Sequence, residues 1–171
     1  MANKQWNMLS FEHGTVAVVA KGDCLSRIFF KCSSETASAL VKRLYPEAKQ
    51  SSPALIDKCL KQLAEYFLGK RCTFDIQTDD DSLSVFACKV QQALLKVPYG
   101  SVVSYSELAA MAGSPKAARA VGRVMSSNPF PLIVPCHRVV NADGSIGRYS
   151  AAHGSMTKAW LIDFERGIVE G

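Results

Sequence analysis

Ser104-Tyr105-Ser106-Glu107-Leu108-Ala109-Ala110-Met111-Ala112-Gly113-Ser114-Pro115-Lys116-Ala117-Ala118-Arg119-Ala120-Val121-Gly122-Arg123-Val124-Met125-Ser126-Ser127 decides how the second half of the chain folds. Ser104 and Glu107 have the spacing of a capping box, in which the hydroxyl takes the N3 amide and the carboxylate takes the N-cap amide. That opens a short helix through Met111, and Gly113 stops it. Ser114 then stands as an N-cap with Pro115 at the first helical position, starting a second helix that should run to about Ser126 or Ser127. Two short helices joined by a tight glycine-containing turn make a helix-turn-helix candidate.

The second helix has two unlike flanks. At about 100° per residue, Ala117, Ala120, Val121, Val124 and Met125 fall on one side, and Lys116, Arg119 and Arg123 gather on another. Between them lie only Ala118 and Gly122. A helix that is basic on one side and bare beside it approaches a phosphate backbone closely. The plain alternative is a solvated surface helix with three cations.

Downstream, Asn128-Pro129-Phe130-Pro131-Leu132-Ile133-Val134-Pro135 carries three prolines into Cys136-His137-Arg138. Prolines fix φ and remove backbone donors, so this run presents the cysteine in a stiff, extended geometry. The thiolate is the nucleophilic form, and it forms when a base or a positive charge lies within reach of the sulfur. Cys136 beside His137 therefore reads as a reactive thiol. The competing reading is an inert buried cysteine.

With 171 residues, 48% apolar and 20% charged, the chain has the composition of a globular protein with a real core. No apolar stretch approaches the ~20 residues of a membrane helix, and no secretory signal pattern opens the chain. The expected address is cytoplasmic or otherwise intracellular, nuclear in a eukaryote. The six cysteines lack C-x-x-C pairing, which predicts reduced thiols; spacing leaves open a metal site built from distant positions, such as Cys24 with a histidine. Residues 1–81 carry 11 Lys+Arg against 10 Asp+Glu, whereas residues 87–150 carry 7 against 2. Basic charge thus gathers around Cys136, where it lowers a thiol pKa or attracts a polyanion.

The first third holds two short runs, Thr15 to Ala20 and Leu25 to Lys31, broken at Lys21-Gly22-Asp23, which predicts a β-hairpin. Apolar residues from Leu55 to Phe67 recur at three and four, an amphipathic helix between Pro53 and Gly69. Asp79-Asp80-Asp81 reads as a linker or the N-terminus of a helix over roughly Leu83 to Lys96. The expected class is α/β (α+β): a small N-terminal mixed domain with a β-sheet, residues 1–81, then a mainly helical domain, residues 82–171, bearing the helix-turn-helix and the reactive cysteine.

The order helix-turn-helix, Asn128-Pro129, Pro135-Cys136-His137-Arg138, then Gly147-Arg148-Tyr149-Ser150 resembles the O6-alkylguanine-DNA alkyltransferases, over about Leu83 to Glu165. Leu63 to Gly69, read as L-x-E-Y-F-x-G, is similar to part of the family's smaller domain. The resemblance implies direct-reversal DNA repair: irreversible, stoichiometric transfer of an alkyl group from O6-alkylguanine, and from O4-alkylthymine, to Cys136, with no metal and no organic cofactor. It implies a double-stranded DNA partner, no membrane, and monomeric action. A thioether resists exchange, so the protein is expected to be used once.

By the same resemblance His137 acts through a water, oriented by a glutamate in the last helix. Glu165 is the match there and Asp163 the rival. Tyr105 assists the departing purine. Arg119 enters the space left by a base flipped out through the minor groove, and Arg123, Lys116, Ser114 and Ala118 contact DNA. Val139 and Ser150 offer a carbonyl and an amide to the guanine edge, Tyr149 walls the pocket, Pro131 packs on the alkyl group, and Asn128 ties the helix-turn-helix to the active-site strand. Three other classes compete: a DNA-binding module that senses damage without repairing it, a thiol hydrolase, which would need an oxyanion hole, and a transcription factor. The alkyltransferase-like sensors replace the cysteine, so Cys136 argues for repair.

Overall fold

A computed structural model describes residues 3–171 and divides the chain into two compact units, 1–79 and 80–171. The first unit is built on a four-stranded sheet: β1 (Lys4–Phe11), β2 (Gly14–Lys21), β3 (Cys24–Lys31) and a two-residue β4 (Lys49–Gln50). Its order is β3-β2-β1-β4, antiparallel except for the β1–β4 pair. The expected hairpin is β2–β3, but β2 is the strand that departs from a half-buried pattern. It is buried from Gly14 to Ala20, because α1 (Ser34–Leu44) and α2 (Ala54–Phe67) both pack on the sheet. Ala37 and Val41 of α1 close over Trp6, Ala17, Val19 and Phe29. On α2, Phe67 stacks on Phe11 at 3.8 Å between centroids.

Gly69, at φ 69°, ends α2 in the left-handed region that glycine enters without steric cost. Residues 77–79 then return to the sheet, where Leu25 N–H donates to the Gln77 carbonyl and Asp79 N–H to the Leu25 carbonyl. The acidic string therefore does not open the next helix. Ser84 caps it instead, its hydroxyl accepting from Ala87 N–H, and α3 runs from Val85 to Leu94. Helix-dipole effects fade beyond the first turn, so Asp79 to Asp81 lie too far upstream to contribute.

In the second unit α4 spans Tyr105–Met111 with the full capping box: Glu107 N–H donates to Ser104 Oγ at 3.1 Å, and Ser104 N–H to Glu107 Oε2 at 2.6 Å. The second helix starts later than the sequence suggests. Ser114 to Ala117 form a turn, with Ala117 N–H donating to the Ser114 carbonyl, and α5 covers Ala118–Ser126. Pro115 suits the second position of such a turn as well as it suits a helix start, and the turn prevails. Ser114 is thus not the N-cap, and Lys116 sits in the turn ahead of the helix.

Two elements then bring distant chemistry together. A two-residue parallel ladder pairs β5 (Val103–Ser104) with β6 (Val139–Val140), Val103 opposite Val139 and Ser104 opposite Val140. This lays the start of α4 beside the single 3-10 turn formed by Cys136, His137 and Arg138. The last helix, α6 (Ser155–Glu170), packs on that turn. None of the helices of the described residues is long and apolar enough to cross a membrane.

Candidate active site

The run into Cys136 is held by Asn128. Its Nδ2 donates to the Val134 carbonyl at 2.9 Å and its Oδ1 accepts from Phe130 N–H at 3.0 Å, so one side chain fixes both ends of the Pro-rich segment. Within it Leu132 holds φ 76°, a region that costs a branched residue about 1–2 kcal/mol. Its side chain is buried, and that packing keeps the conformation.

Behind the thiol lies a closed network. Glu165 is buried, and four donors converge on its carboxylate: His137 Nε2 (2.7 Å) and Arg138 Nη2 (3.0 Å) on Oε1, Arg138 Nε (2.9 Å) and Gly100 N–H (3.0 Å) on Oε2. Arg138 Nη1 also donates to the Val97 carbonyl at 2.9 Å. Burial would raise the Glu165 pKa, but the bonds and charges of His137 and Arg138 outweigh it and hold the carboxyl at about 2. Glu165 is thus a permanent acceptor, which requires the proton of the neutral imidazole to sit on Nε2. Burial keeps His137 neutral by lowering its pKa, against the pull of Glu165. The remaining nitrogen, Nδ1, makes no hydrogen bond and carries a free lone pair. Asp163, the rival carboxylate, is exposed on α6.

The pKa of the thiol itself is raised, whereas its neighbours suggest a lowering. Cys136 is only 6% exposed, and burial pushes its pKa up. Asn128, Lys158 and Tyr149 act against that rise. Cys59 marks the contrast, because nothing opposes burial there and its thiol is pushed up to about 12. Tyr105 and Tyr149 are both raised, first by burial and then by the sulfur's charge, so both hydroxyls stay protonated donors.

Cys136 lines a cavity of about 680 Å³ with Tyr105, Tyr149, Ser150, Lys158 and Gly122. That volume lies well within the range that encloses a small organic ligand. Two residues expected at this pocket are elsewhere. Val139 is buried in the β5–β6 ladder, and Pro131 forms part of the tight Phe130–Val134 turn, where the chain reverses before Cys136. On α5, Arg119, Arg123 and the preceding Lys116 are exposed, whereas Val121 and Met125 are buried; Ser114 and Ala118 are half-buried. A Cβ placed on Gly122 would lie 4.0 Å from the Tyr105 ring, so the bare stripe of α5 forms one edge of the cavity.

Sequence reasoning misses Lys158 at this site and, although it quotes Arg138 and Arg148 in the motifs, gives them no role. Lys158 carried a readable signal, since Lys158, Leu161, Ile162 and Glu165 follow the spacing of one helix face and all four are buried. Among the described residues, no three His, Cys, Asp or Glu side chains are grouped to hold a metal ion, Cys24 included.

The family model for the 6-O-methylguanine DNA methyltransferase DNA-binding domain matches residues 85–167, and that for the ribonuclease-like domain of the same proteins matches residues 5–80. The chain belongs to the 6-O-methylguanine DNA methyltransferase family. The constitutive methylated-DNA–protein-cysteine methyltransferase of Bacillus subtilis is 35% identical over 153 residues, 90% of each chain. The Rattus norvegicus methyltransferase is 54% identical over 87 residues, which are 50% of this chain and 41% of that protein, so the matched stretch spans under half of the rat protein's length. Among solved structures, Mycobacterium tuberculosis OGT in complex with DNA is similar with a TM-score of 0.79 and 30% identity, covering 96% of this chain and 94% of that one. The O6-methylguanine-DNA methyltransferase of Pyrococcus kodakaraensis gives 0.74 at 25% identity. The mixed N-terminal sheet and helical second half of this family member are the architecture expected from its sequence.

Proposed function

We propose that the protein repairs DNA by direct reversal, moving the alkyl group of O6-alkylguanine, and of O4-alkylthymine, onto the Cys136 sulfur in one irreversible step. The observation that carries this reading is a single thiol lining a purine-sized cavity, with an oriented imidazole behind it, in a chain of this family.

The free lone pair of His137 Nδ1 takes the thiol proton, directly or through a water. The sulfur attacks the alkyl carbon, the S–C bond forms, and the electron pair of the breaking C–O bond goes to guanine O6. Tyr105 donates a hydrogen bond and then a proton to the departing purine, and the imidazolium proton restores the balance. The net change is thiol to thioether and alkylguanine to guanine. Glu165, locked as a carboxylate, stabilises the imidazolium without taking its proton. Tyr149 and Ser150 bound the base. Asn128 acts by holding the turn that carries Cys136.

A stacked base cannot reach this cavity, so the nucleotide must be extruded. The exposed Arg119 on α5 is suited to fill the vacated stack, with Arg123, Lys116 and the backbone near Ser114 and Ala118 against phosphates. Reading the minor groove, with its degenerate pattern, fits a protein that searches any sequence. The second unit, on this reading, is the DNA-binding acceptor domain. One chain holds every group the step uses, so the acting form is a monomer, working wherever the cell keeps its DNA.

Cys136→Ala tests the division of labour. The variant should bind duplex DNA as the parent does and accept no label from a radiomethylated duplex. Retained transfer in that variant would refute the assignment of the acceptor.

A further inference from the structure

Lys158 is a buried cation that the transfer chemistry above leaves unused. Its α6 face carries Lys158, Leu161, Ile162 and Glu165, all buried, and the two charged residues are rooted two helical turns apart, about 10 Å along the helix axis. Glu165 is saturated by His137, Arg138 and Gly100. Among the described residues no carboxylate pairs with Lys158. Its Nζ lies 5.7 Å from the Tyr105 ring centroid, and its side chain lines the same cavity as Cys136.

A charge buried without a partner is costly, and buried lysines usually respond by losing the proton. The buried charges of this site are Arg138 and Lys158 against Glu165 alone, which leaves one positive charge in excess. The groups facing Lys158 are Tyr105 from α4, Cys136 and His137 from the 3-10 turn, and Tyr149 and Arg148 from the loop before α6. Tyr105 and Tyr149 stay protonated and His137 stays neutral, so the sulfur is the one group there that can supply the missing negative charge.

We propose that Lys158 is a positioning residue for the transfer: its buried ammonium is the fixed counter-charge that lets the Cys136 sulfur become an anion inside the cavity. The inference deepens the alkyl-transfer reading and rests on it. The proton still leaves through His137 Nδ1; Lys158 stabilises the thiolate without donating or accepting in the step. Burial lowers the Lys158 pKa and the sulfur raises it again, the reciprocity expected of a coupled pair. Sequence gives the two residues no connection.

The test reads Cys136 ionisation without DNA. Iodoacetamide modification across a pH series, followed by mass spectrometry of the tryptic peptide Val124–Arg138, reports Cys136 alone, since that peptide holds no other cysteine. Lys158→Met should raise the midpoint by about one pH unit or more, a roughly tenfold loss of thiolate on the alkaline shoulder. Lys158→Arg should stay near the parent, and the half-exposed Cys88 serves as an internal reference. An unmoved midpoint in Lys158→Met, or an equal rise in Lys158→Arg, would overturn the proposal. Should the methionine variant fail to fold, Cys136→Ser supplies the reverse measurement by nuclear magnetic resonance: Lys158 should lose its proton at lower pH than in the parent, and an unchanged Lys158 titration overturns the proposal equally. Methyl transfer from DNA, assayed in parallel on the parent, reports separately on the repair reading.

Discussion

Glu165→Gln is the substitution whose cost follows most directly from the geometry. Two donors reach Oε1 and two reach Oε2. Whichever end becomes the amide NH2, two N–H groups then face a donor, and Arg138 is left buried beside a neutral group. Breaking a buried ion pair from one side costs about 3–5 kcal/mol. The depression of the Glu165 pKa from 4.5 to about 2 corresponds to roughly 3 kcal/mol, in agreement. For a chain of this length that predicts a melting point lower by about 6–12 °C. The pH dependence has a fixed sign. A carboxyl whose folded pKa is depressed contributes its full stability above its unfolded pKa of 4.5, and loses it as pH falls toward about 2. Calorimetry at neutral pH and at about pH 3 should therefore show the gap between parent and variant narrowing in acid. The variant should also transfer more slowly, because His137 loses the partner that fixes its tautomer. A variant melting within a degree or two of the parent, or two curves running parallel across that window, would refute the account of the network.

Asn128→Ala should destabilise by about 2–4 kcal/mol, since it leaves Phe130 N–H and the Val134 carbonyl without partners, and chemical denaturation measures it. If Arg119 fills the vacated stack as proposed, Arg119→Ala should slow transfer on duplex DNA about tenfold or more, since the plug would offset part of an unstacking cost of a few kcal/mol. On a single-stranded oligonucleotide the deficit should shrink, and an equal deficit on both substrates speaks against insertion. Gly122→Ala should raise stability by about 0.5–1 kcal/mol, as its added Cβ makes only ordinary contact with Tyr105. Gly122→Leu should keep the fold in circular dichroism but lose transfer, the longer side chain reaching across the cavity mouth.

Local signals were readable in the sequence where one short segment decides the outcome. Ser104 and Glu107 form their capping box because both halves lie within one turn, and the β2–β3 hairpin follows from Gly22-Asp23 between apolar runs. Strand β1 and helix α1 carry no clear signal in the sequence. Lys4 to Phe11 alternates poorly because each face of the sheet meets a helix, and Ser34 to Leu44 buries little beyond the small residues Ala37 and Val41. The start of α5 is ambiguous in the sequence at Pro115, whose fixed φ serves a turn and a helix start alike. At the site, Cys136, His137 and Arg138 are contiguous in the chain, but Glu165 lies 27 residues beyond Arg138 and Lys158 shares a helix face with Glu165 alone of them. Only the packing of α6 on the 3-10 turn joins them, and burial of the sulfur raises a thiol pKa that the adjacent imidazole and the local basic charge suggest is lowered.

Mass spectrometry of the protein after incubation with excess O6-methylguanine duplex tests the central claim most directly. The account predicts one methyl group per chain, located on Cys136 within the Val124–Arg138 peptide, and no further loss of lesion once each chain has reacted. Methyl groups on another residue, or lesions removed in numbers well beyond the protein present, would contradict it.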